Sequence, residues 1–281
     1  MWSLGEKNAL FPIFLIMKCV FAISGENSNY YDMVKVLVLS AKANTSLELY
    51  CVYDGKENHF THWLRCNSVT ILKWEISFLN DITERYDGKT DIGICRGMYL
   101  CVEVPLIIKQ YNITDGYILY VDVDTMFTGS IELDQYKPLY LCCAPDWDIN
   151  DWSRFGTGVM IMNTVNLLET QSEFLFHIKM HNYNFEYLRV GPCDQGAWNT
   201  FYNGKIEKLE QIYDWKPWWG INDNAKIIHF AGPKPQFVDY VLKNQTANVR
   251  YTETEYLHKC VIDENRGGYA HYLKTWKNIL Q

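Results

Sequence analysis

The first third of the chain has the pattern of a strand, a helix and a second strand. An apolar run over 17–26 ends in glycine and acid, and the segment after it has apolar residues at helical spacing: Met33, Val34, Leu37 and Val38. A second apolar run over 46–56 is stopped by Asp54 and Gly55. This succession predicts a parallel βαβ unit.

More strands and helices follow, with no repeat and no low-complexity tract. The predicted strands cover 68–77, 116–124, 138–148, 154–164 and the start of 226–236. The predicted helices cover 93–105, 165–183 and the segment from 194. The pattern predicts one α/β domain over 17–281, with a mixed, mostly parallel central sheet flanked by helices and with ligands at the carboxyl ends of its strands. Residues 1–16 form an N-terminal extension to which the sequence assigns no role.

Charge and cysteine content narrow the functional class. The 26 lysines and arginines are scattered among 33 acidic residues, with a formal net charge of −7, so no nucleic-acid partner is expected. The nine cysteines include no Cys-x-x-Cys pair, which favours reduced structural thiols in a cytoplasmic protein. The apolar stretch over 9–17 is too short to cross a bilayer, so no transmembrane segment is predicted.

The strand over 116–124 ends in two acids. Alternation along a strand places Asp122 and Asp124 on the same side of the chain, with Cα atoms roughly 7 Å apart. Two carboxylates this close repel each other unless a cation compensates, and a divalent ion is the usual solution. The pair therefore indicates a Mn²⁺ or Mg²⁺ site that would hold a diphosphate. The alternative is two solvated acids at the start of a loop.

Five short motifs follow one another along the chain: FAISG, YILYVDVDTMF, FGTGVMIMNT, DQGAWN and IIHFAGPKP. Their order resembles that in glycosyltransferase family 8, the glycogenin-like retaining glycosyltransferases. The resemblance implies the GT-A fold, which is a Rossmann-like α/β architecture. It also implies transfer of a hexose from a nucleotide-diphosphate sugar, with UDP as the expected nucleotide.

The resemblance further implies a site for metal and phosphate. The two acids and His229 would coordinate Mn²⁺, or Mg²⁺, between the diphosphate oxygens, and an imidazole beside two carboxylates is a sensible Mn²⁺ ligand set. After the histidine, Gly232 allows close backbone approach and Lys234 would neutralise the departing diphosphate. Val123, between the two acids, is placed at the nucleotide sugar with them.

Other motifs are expected to contact the nucleotide sugar through strand ends and the helix before the metal strand: Ala22, Ile23, Ser24, Asp54, Arg96, Gly156 and Thr157. In similar enzymes the residues at Asp194 and Gln195 lie beside the anomeric carbon, so these two and Lys234 are the expected catalytic residues. Double displacement through a carboxylate and front-face attack with the leaving phosphate as base are both open.

Two positions depart from the family pattern. Gly156 stands where relatives often carry an asparagine expected to contact the donor sugar, so the identity of that sugar is left open. Cys101 stands where many relatives carry an arginine, and Arg96 lies shortly before it.

The expected acceptor is a glycan or a lipid-linked oligosaccharide. The aromatic run over 215–219 could stack on it, burial in the core being the alternative, and Asp146 and Asp148 could accept hydrogen bonds from hydroxyls. Two other functions are considered: a nucleotidyltransferase that makes nucleotide sugars, and a non-catalytic nucleotide- or sugar-binding protein. The first should carry a basic, glycine-rich loop after the first strand, but the segment over 24–32 has one glycine and no lysine or arginine.

Overall fold

The computed structural model describes residues 17–25, 28–85, 92–113, 116–185, 188, 193–243, 261 and 267–281. The predicted extension over 1–16 lies outside the described residues, so the domain boundary at residue 17 stays a prediction. Among the helices in this part of the chain, none combines the length and the apolar character that crossing a bilayer requires.

The strands of the described chain form two sheets. They are β1 (Lys18–Ser24), β2 (Glu48–Asp54), β3 (Thr70–Lys73), β4 (Tyr117–Val121), β5 (Thr125–Phe127), β6 (Leu141–Pro145), β7 (Phe155–Asn163), β8 (Ile206–Lys208) and β9 (Ile227–His229). Seven of them form one sheet in the order β3-β2-β1-β4-β7-β6-β8. In that sheet β7 runs against both of its neighbours and the other pairs are parallel. The predicted mixed, mostly parallel sheet is therefore confirmed.

Helices flank this sheet. Within the described ranges they are α1 (Tyr31–Asn44), α2 (His59–Cys66), α3 (Leu79–Arg85), α4 (Ile92–Tyr99), α5 (Val104–Gln110), α6 (Thr164–Glu169), α7 (Gln171–Met180), α8 (Cys193–Phe201), α9 (Pro235–Lys243) and α10 (Gly268–Leu280). The order β1, α1, β2 confirms the predicted βαβ unit, since β1 and β2 pair in parallel.

Residues of β1 face alternately into two cores. Val20 and Ala22 belong to one apolar cluster, whereas Cys19, Phe21 and Ile23 belong to the other. Because both faces of the strand are covered, β1 reads in the sequence as a continuous apolar run. The clearly polar residues of β1, Lys18 and Ser24, are consequently its first and its last residue.

Two helix predictions differ from the structure. The pattern predicts that the helix before β4 ends at Pro105, but α4 is followed by a turn at Leu100–Glu103 and then by α5, which has Pro105 in its first turn. Proline is tolerated there because the first amides of a helix have no partner within it. The single helix predicted over 165–183 is two helices, α6 and α7, separated by Thr170.

A small second sheet places two distant segments side by side. Strand β5 pairs antiparallel with β9, and Thr125 lies opposite His229 in the register. The amide of Phe230 donates a hydrogen bond to the carbonyl of Asp124 at 3.0 Å. Since Thr125 directly follows Asp124, this register brings His229 next to the strand-end acids.

Candidate active site

Asp122, Asp124 and His229 form a cluster just beyond the end of β4, called here the Asp–Asp–His cluster. Nε2 of His229 lies 3.4 Å from Oδ1 of Asp124 and 3.9 Å from Oδ2 of Asp122. The three potential ligand atoms all lie within 4.8 Å of one another. Two ligands of one octahedral ion, each roughly 2.1 Å from it, are roughly 3.0 to 4.2 Å apart. The residues therefore fit a divalent metal ion.

Asp124 is buried and has two cationic neighbours. Its Oδ2 accepts a hydrogen bond from Nζ of Lys234, and its Oδ1 faces His229. Burial opposes ionisation of Asp124, but the charges of Lys234 and His229 hold its pKa well below the usual range. In the loop that carries Lys234, Gly232 has a φ of 79°, a left-handed conformation that favours glycine.

Asp122 is the more accessible acid, with 43% of its side chain exposed. Its Oδ1 accepts a hydrogen bond from the Tyr120 hydroxyl at 3.1 Å, and its amide donates to the carbonyl of Gly158 at 2.7 Å. Partial burial and the nearby charge of Asp124 raise the pKa of Asp122 to about 6. A bound cation would relieve this repulsion.

A buried ion pair lies behind the histidine. Nδ1 of His229 lies 2.9 Å from Oδ1 of Asp214, and Oδ2 of Asp214 accepts a hydrogen bond from Nζ of Lys216 at 2.6 Å. Lys216 also donates to the Pro145 carbonyl at 2.7 Å and lies over the ring of Trp219. When Nδ1 carries the proton shared with Asp214, Nε2 presents its lone pair toward the acids, as a metal-binding histidine must.

Local sequence patterns do not single out Asp214 or Lys216. Their spacing of two residues puts both side chains on one side of an extended segment, which is the only signal that the sequence contains. Trp215 between them pairs with Ile228 of β9. This pairing, which is a tertiary contact, turns the two charged groups toward His229.

Two glycines of β7 make room for these side chains. A Cβ on Gly158 would lie 2.0 Å from Cε1 of His229, and a Cβ on Gly156 would lie 3.0 Å from Nζ of Lys216. The ammonium group thus occupies the space next to residue 156. This contact gives a physical reason for glycine at a position where family 8 enzymes often carry an asparagine.

Gly158→Ala is expected to displace the His229 ring, because a contact of 2.0 Å cannot be accommodated. We expect the affinity for Mn²⁺, measured by EPR titration, to fall at least about tenfold. Gly116→Ala is the matched control, since nothing lies within 4 Å of a Cβ at Gly116. Equal Mn²⁺ affinity in both variants would show that metal binding does not depend on this space.

A cavity of about 260 Å³ opens beside the acids. Its lining includes seven residues that the sequence predicted: Ala22, Ile23, Ser24, Asp122, Val123, Asp124 and Lys234. It also includes four that were not predicted: Tyr30, Gly97, Met98 and Tyr120. The lining combines apolar and aromatic surface with two carboxylates and an ammonium group, so the cavity suits a ligand with a flat part and a charged part.

Asp54 and Arg96 bind each other. Nη2 and Nε of Arg96 lie 2.8 and 3.1 Å from Oδ2 of Asp54. Both residues line a neighbouring cavity of about 700 Å³ rather than the cavity beside the acids. The two cavities adjoin at the ends of β1 and β2, where Ser24 pairs with Asp54 in the sheet register.

Asp194 lies in the first turn of α8 and is buried. Its Oδ2 lies 3.4 Å from Sγ of Cys101 and 3.5 Å from Oγ1 of Thr157, both of which donate to it. Burial, and then the charge of Asp122, raise the pKa of Asp194 to about 8. The neighbouring Gln195 donates from Nε2 to Oδ2 of Asp146 at 3.0 Å.

Asp194→Asn is expected to stabilise the fold at high pH. The pKa of Asp194 is raised from its ordinary 3.8 to about 8, so between these values the folded chain holds a proton that the unfolded chain has lost. Stability therefore falls as the pH rises through this window. At pH 8.5 the variant should melt at least about 3 °C above the wild type, whereas at pH 4 the two should melt together.

Asp148→Asn, which changes an exposed acid, is the control for the melting experiment and should match the wild type at both pH values. A stabilisation by Asp194→Asn that is the same at pH 4 and pH 8.5 would contradict a raised pKa for Asp194.

Several solved structures resemble this chain. Glycosyltransferase GlyE from Streptococcus pneumoniae TIGR4, in its apo form, matches 94% of this chain with a TM-score of 0.57 and 15% sequence identity, and the chain spans 64% of the length of GlyE. The galactosyltransferase LgtC, in complex with donor and acceptor sugar analogs, matches 86% of this chain over its own full length, with a TM-score of 0.56 and 15% identity.

Mouse xyloside xylosyltransferase 1, also in its apo form, matches 77% of this chain and 98% of its own, with a TM-score of 0.56 and 14% identity. No family model matches the chain, and no curated protein matches its sequence. The structural likeness confirms the architecture that the five motifs implied: the chain has the GT-A fold of glycosyltransferases.

Proposed function

We propose that the chain is a metal-dependent, retaining glycosyltransferase that transfers a hexose from a UDP-sugar to a hydroxyl group of a glycan. The observation that carries the proposal is the Asp–Asp–His cluster beside a cavity that also contains Lys234. The GT-A fold supports the reaction class, since the structures that resemble this chain are those of a glycosyltransferase, a galactosyltransferase and a xylosyltransferase.

The nucleoside would bind in the cavity beside the cluster. Ile23 and Ser24 line this cavity at the end of β1, and Tyr30 adds an aromatic ring from the turn before α1. A flat base can pack on such a ring, while backbone groups at the strand end can hydrogen-bond its polar edge. The sugar would then extend toward Asp194 and Gln195.

Transfer breaks the bond between the anomeric carbon and the diphosphate oxygen and forms one from that carbon to the acceptor oxygen. The proton of the acceptor hydroxyl leaves with UDP or passes to solvent. Mn²⁺ in the Asp–Asp–His cluster would neutralise charge on the diphosphate. Lys234 lies at Asp124, from where its ammonium group can turn to a phosphate oxygen and stabilise the same charge.

Calorimetric titration with UDP, GDP and CDP, with and without Mn²⁺, tests the proposal. We expect micromolar binding of UDP that requires Mn²⁺, weaker binding of the other nucleotides and slow hydrolysis of a UDP-hexose. Asp124→Asn should lose the metal-dependent binding, because Asp124 faces both His229 and Lys234. Nucleotide binding that ignores Mn²⁺, or pyrophosphate exchange without release of sugar, would overturn the proposal.

A further inference from the structure

Two tryptophan rings stack on each other at the protein surface. The centroids of Trp147 and Trp218 lie 4.9 Å apart with an interplanar angle of 29°, and Trp147 is 43% exposed. The backbone carbonyl of Trp147 accepts hydrogen bonds from Nε1 of Trp218 at 3.0 Å and from Nε1 of Trp219 at 2.8 Å. These two bonds tie the backbone of Trp147 to the segment that carries Trp218 and Trp219.

The stacked pair joins two segments that carry candidate site residues. On one side, Asp146 directly precedes the first tryptophan and accepts a hydrogen bond from Gln195 at 3.0 Å. On the other side, the ring of Trp218 lies near Gly232, which is two residues before Lys234: a Cβ on Gly232 would be 3.7 Å from the ring. The pair therefore lies at the edge of the candidate active site, between the helix of Gln195 and the loop of Lys234.

An exposed indole beside carboxylates suits a pyranose ring. One face of a pyranose is lined by C–H groups that can pack on an aromatic face, while its hydroxyl groups need hydrogen-bond partners. Asp148 follows the first tryptophan and is exposed, so it offers an acceptor for a hydroxyl. A nucleobase could also stack on an indole, but the cavity beside the Asp–Asp–His cluster already provides Tyr30 for that purpose.

We propose that Trp147 and Trp218 form an acceptor subsite in which one pyranose of the acceptor glycan packs on the exposed face of Trp147. The inference rests on the proposed glycosyl transfer and adds to it the place where the acceptor binds. It assigns the acceptor to the class of glycans that present the C–H face of a pyranose next to the reacting hydroxyl.

Saturation-transfer NMR with three probes tests the subsite without any donor: methyl β-D-galactopyranoside, methyl β-D-glucopyranoside and methyl β-D-xylopyranoside. At least one should receive saturation from the wild type, and Trp147→Ala should weaken its binding at least about fivefold. Trp147→Phe should restore much of the binding because it keeps a flat ring. Trp63→Ala, which removes a half-buried indole from α2, should bind like the wild type.

Absence of saturation for all three glycosides in the wild type, or equal saturation in a folded Trp147→Ala, would overturn the subsite. Melting curves and circular dichroism establish that each variant is folded. Titration of the wild type with UDP and Mn²⁺ separates the two proposals. If UDP fails to bind, the transferase proposal is wrong, whether or not the glycosides receive saturation. If UDP binds and the glycosides do not, the subsite alone is wrong.

Discussion

Asp122→Ala is expected to slow the turnover of a UDP-hexose at least about 100-fold while the chain stays folded. Asp122 supplies one of the two carboxylates of the Asp–Asp–His cluster, so its loss leaves a divalent ion with fewer ligands and less compensating charge. The loss of stability should stay near about 1 kcal/mol, the cost of the lost hydrogen bond from Tyr120, because the side chain is 43% exposed and the charge of Asp124 opposes its ionisation. The two effects are measured as kcat for hydrolysis and as melting temperature.

Asp134→Ala is the matched control for this experiment. It removes an exposed acid that lies outside the Asp–Asp–His cluster, and we expect it to leave both quantities unchanged. Asp122→Asn should repeat the loss of turnover, because an amide keeps the size of the side chain but not its charge. Turnover at the wild-type rate in Asp122→Ala would show that Asp122 takes no part in the reaction, and the metal-site hypothesis would then be wrong.

Lys216→Met is expected to lower the free energy of unfolding by about 3 kcal/mol, the lower end of the cost of breaking a buried ion pair, because Asp214 keeps His229 as its remaining partner. Asp214 and Lys216 are both fully buried. The ammonium group donates to Asp214 at 2.6 Å and to the carbonyl of Pro145 at 2.7 Å. Methionine fills a similar volume but donates neither hydrogen bond. Urea unfolding followed by circular dichroism measures the loss.

Two companion variants make the stability experiment specific. Lys35→Met removes a half-exposed ion pair with Asp32 on α1, so it should cost less than about 1 kcal/mol. The double variant Asp214→Asn, Lys216→Met should recover much of the lost stability, because it leaves no unpaired charge in the core. A Lys216→Met variant as stable as Lys35→Met would contradict the importance of the buried pair.

Most of the parallel strands could be predicted from the sequence, because a strand that is covered on both faces consists almost entirely of apolar residues. Strands β1 and β4 therefore appear in the sequence as unbroken apolar runs, and each stops at polar residues that lie at the edge of the sheet. Short elements were harder to recognise. Strand β8 has three residues, two of them exposed, and such a segment carries too little hydrophobic pattern to be distinguished from a loop.

Some residues of the candidate site were predicted from the sequence, and others were not. The end of β1, the strand-end acids and Lys234 were predicted, and they line one cavity. Asp54 and Arg96 bind each other in the adjoining cavity, and their expected contact with the nucleotide sugar stays a prediction. The position of Tyr30 in the lining of this cavity was not predicted, because an aromatic residue in a turn before a helix has no pattern that separates a cavity-lining position from ordinary packing.

The sequence by itself indicated the longer strands and helices and the place where two acids follow β4, because these depend on neighbouring residues. The acids do not lie on the strand as the alternation predicted: β4 ends at Val121, and Asp122 and Asp124 lie in the turn that follows it. Only the tertiary structure decided what meets the acids. The register that sets Thr125 opposite His229 joins segments about a hundred residues apart. The same packing places Asp214 behind the histidine. Such contacts depend on how distant strands pair, and that pairing is settled by the packing of the whole core.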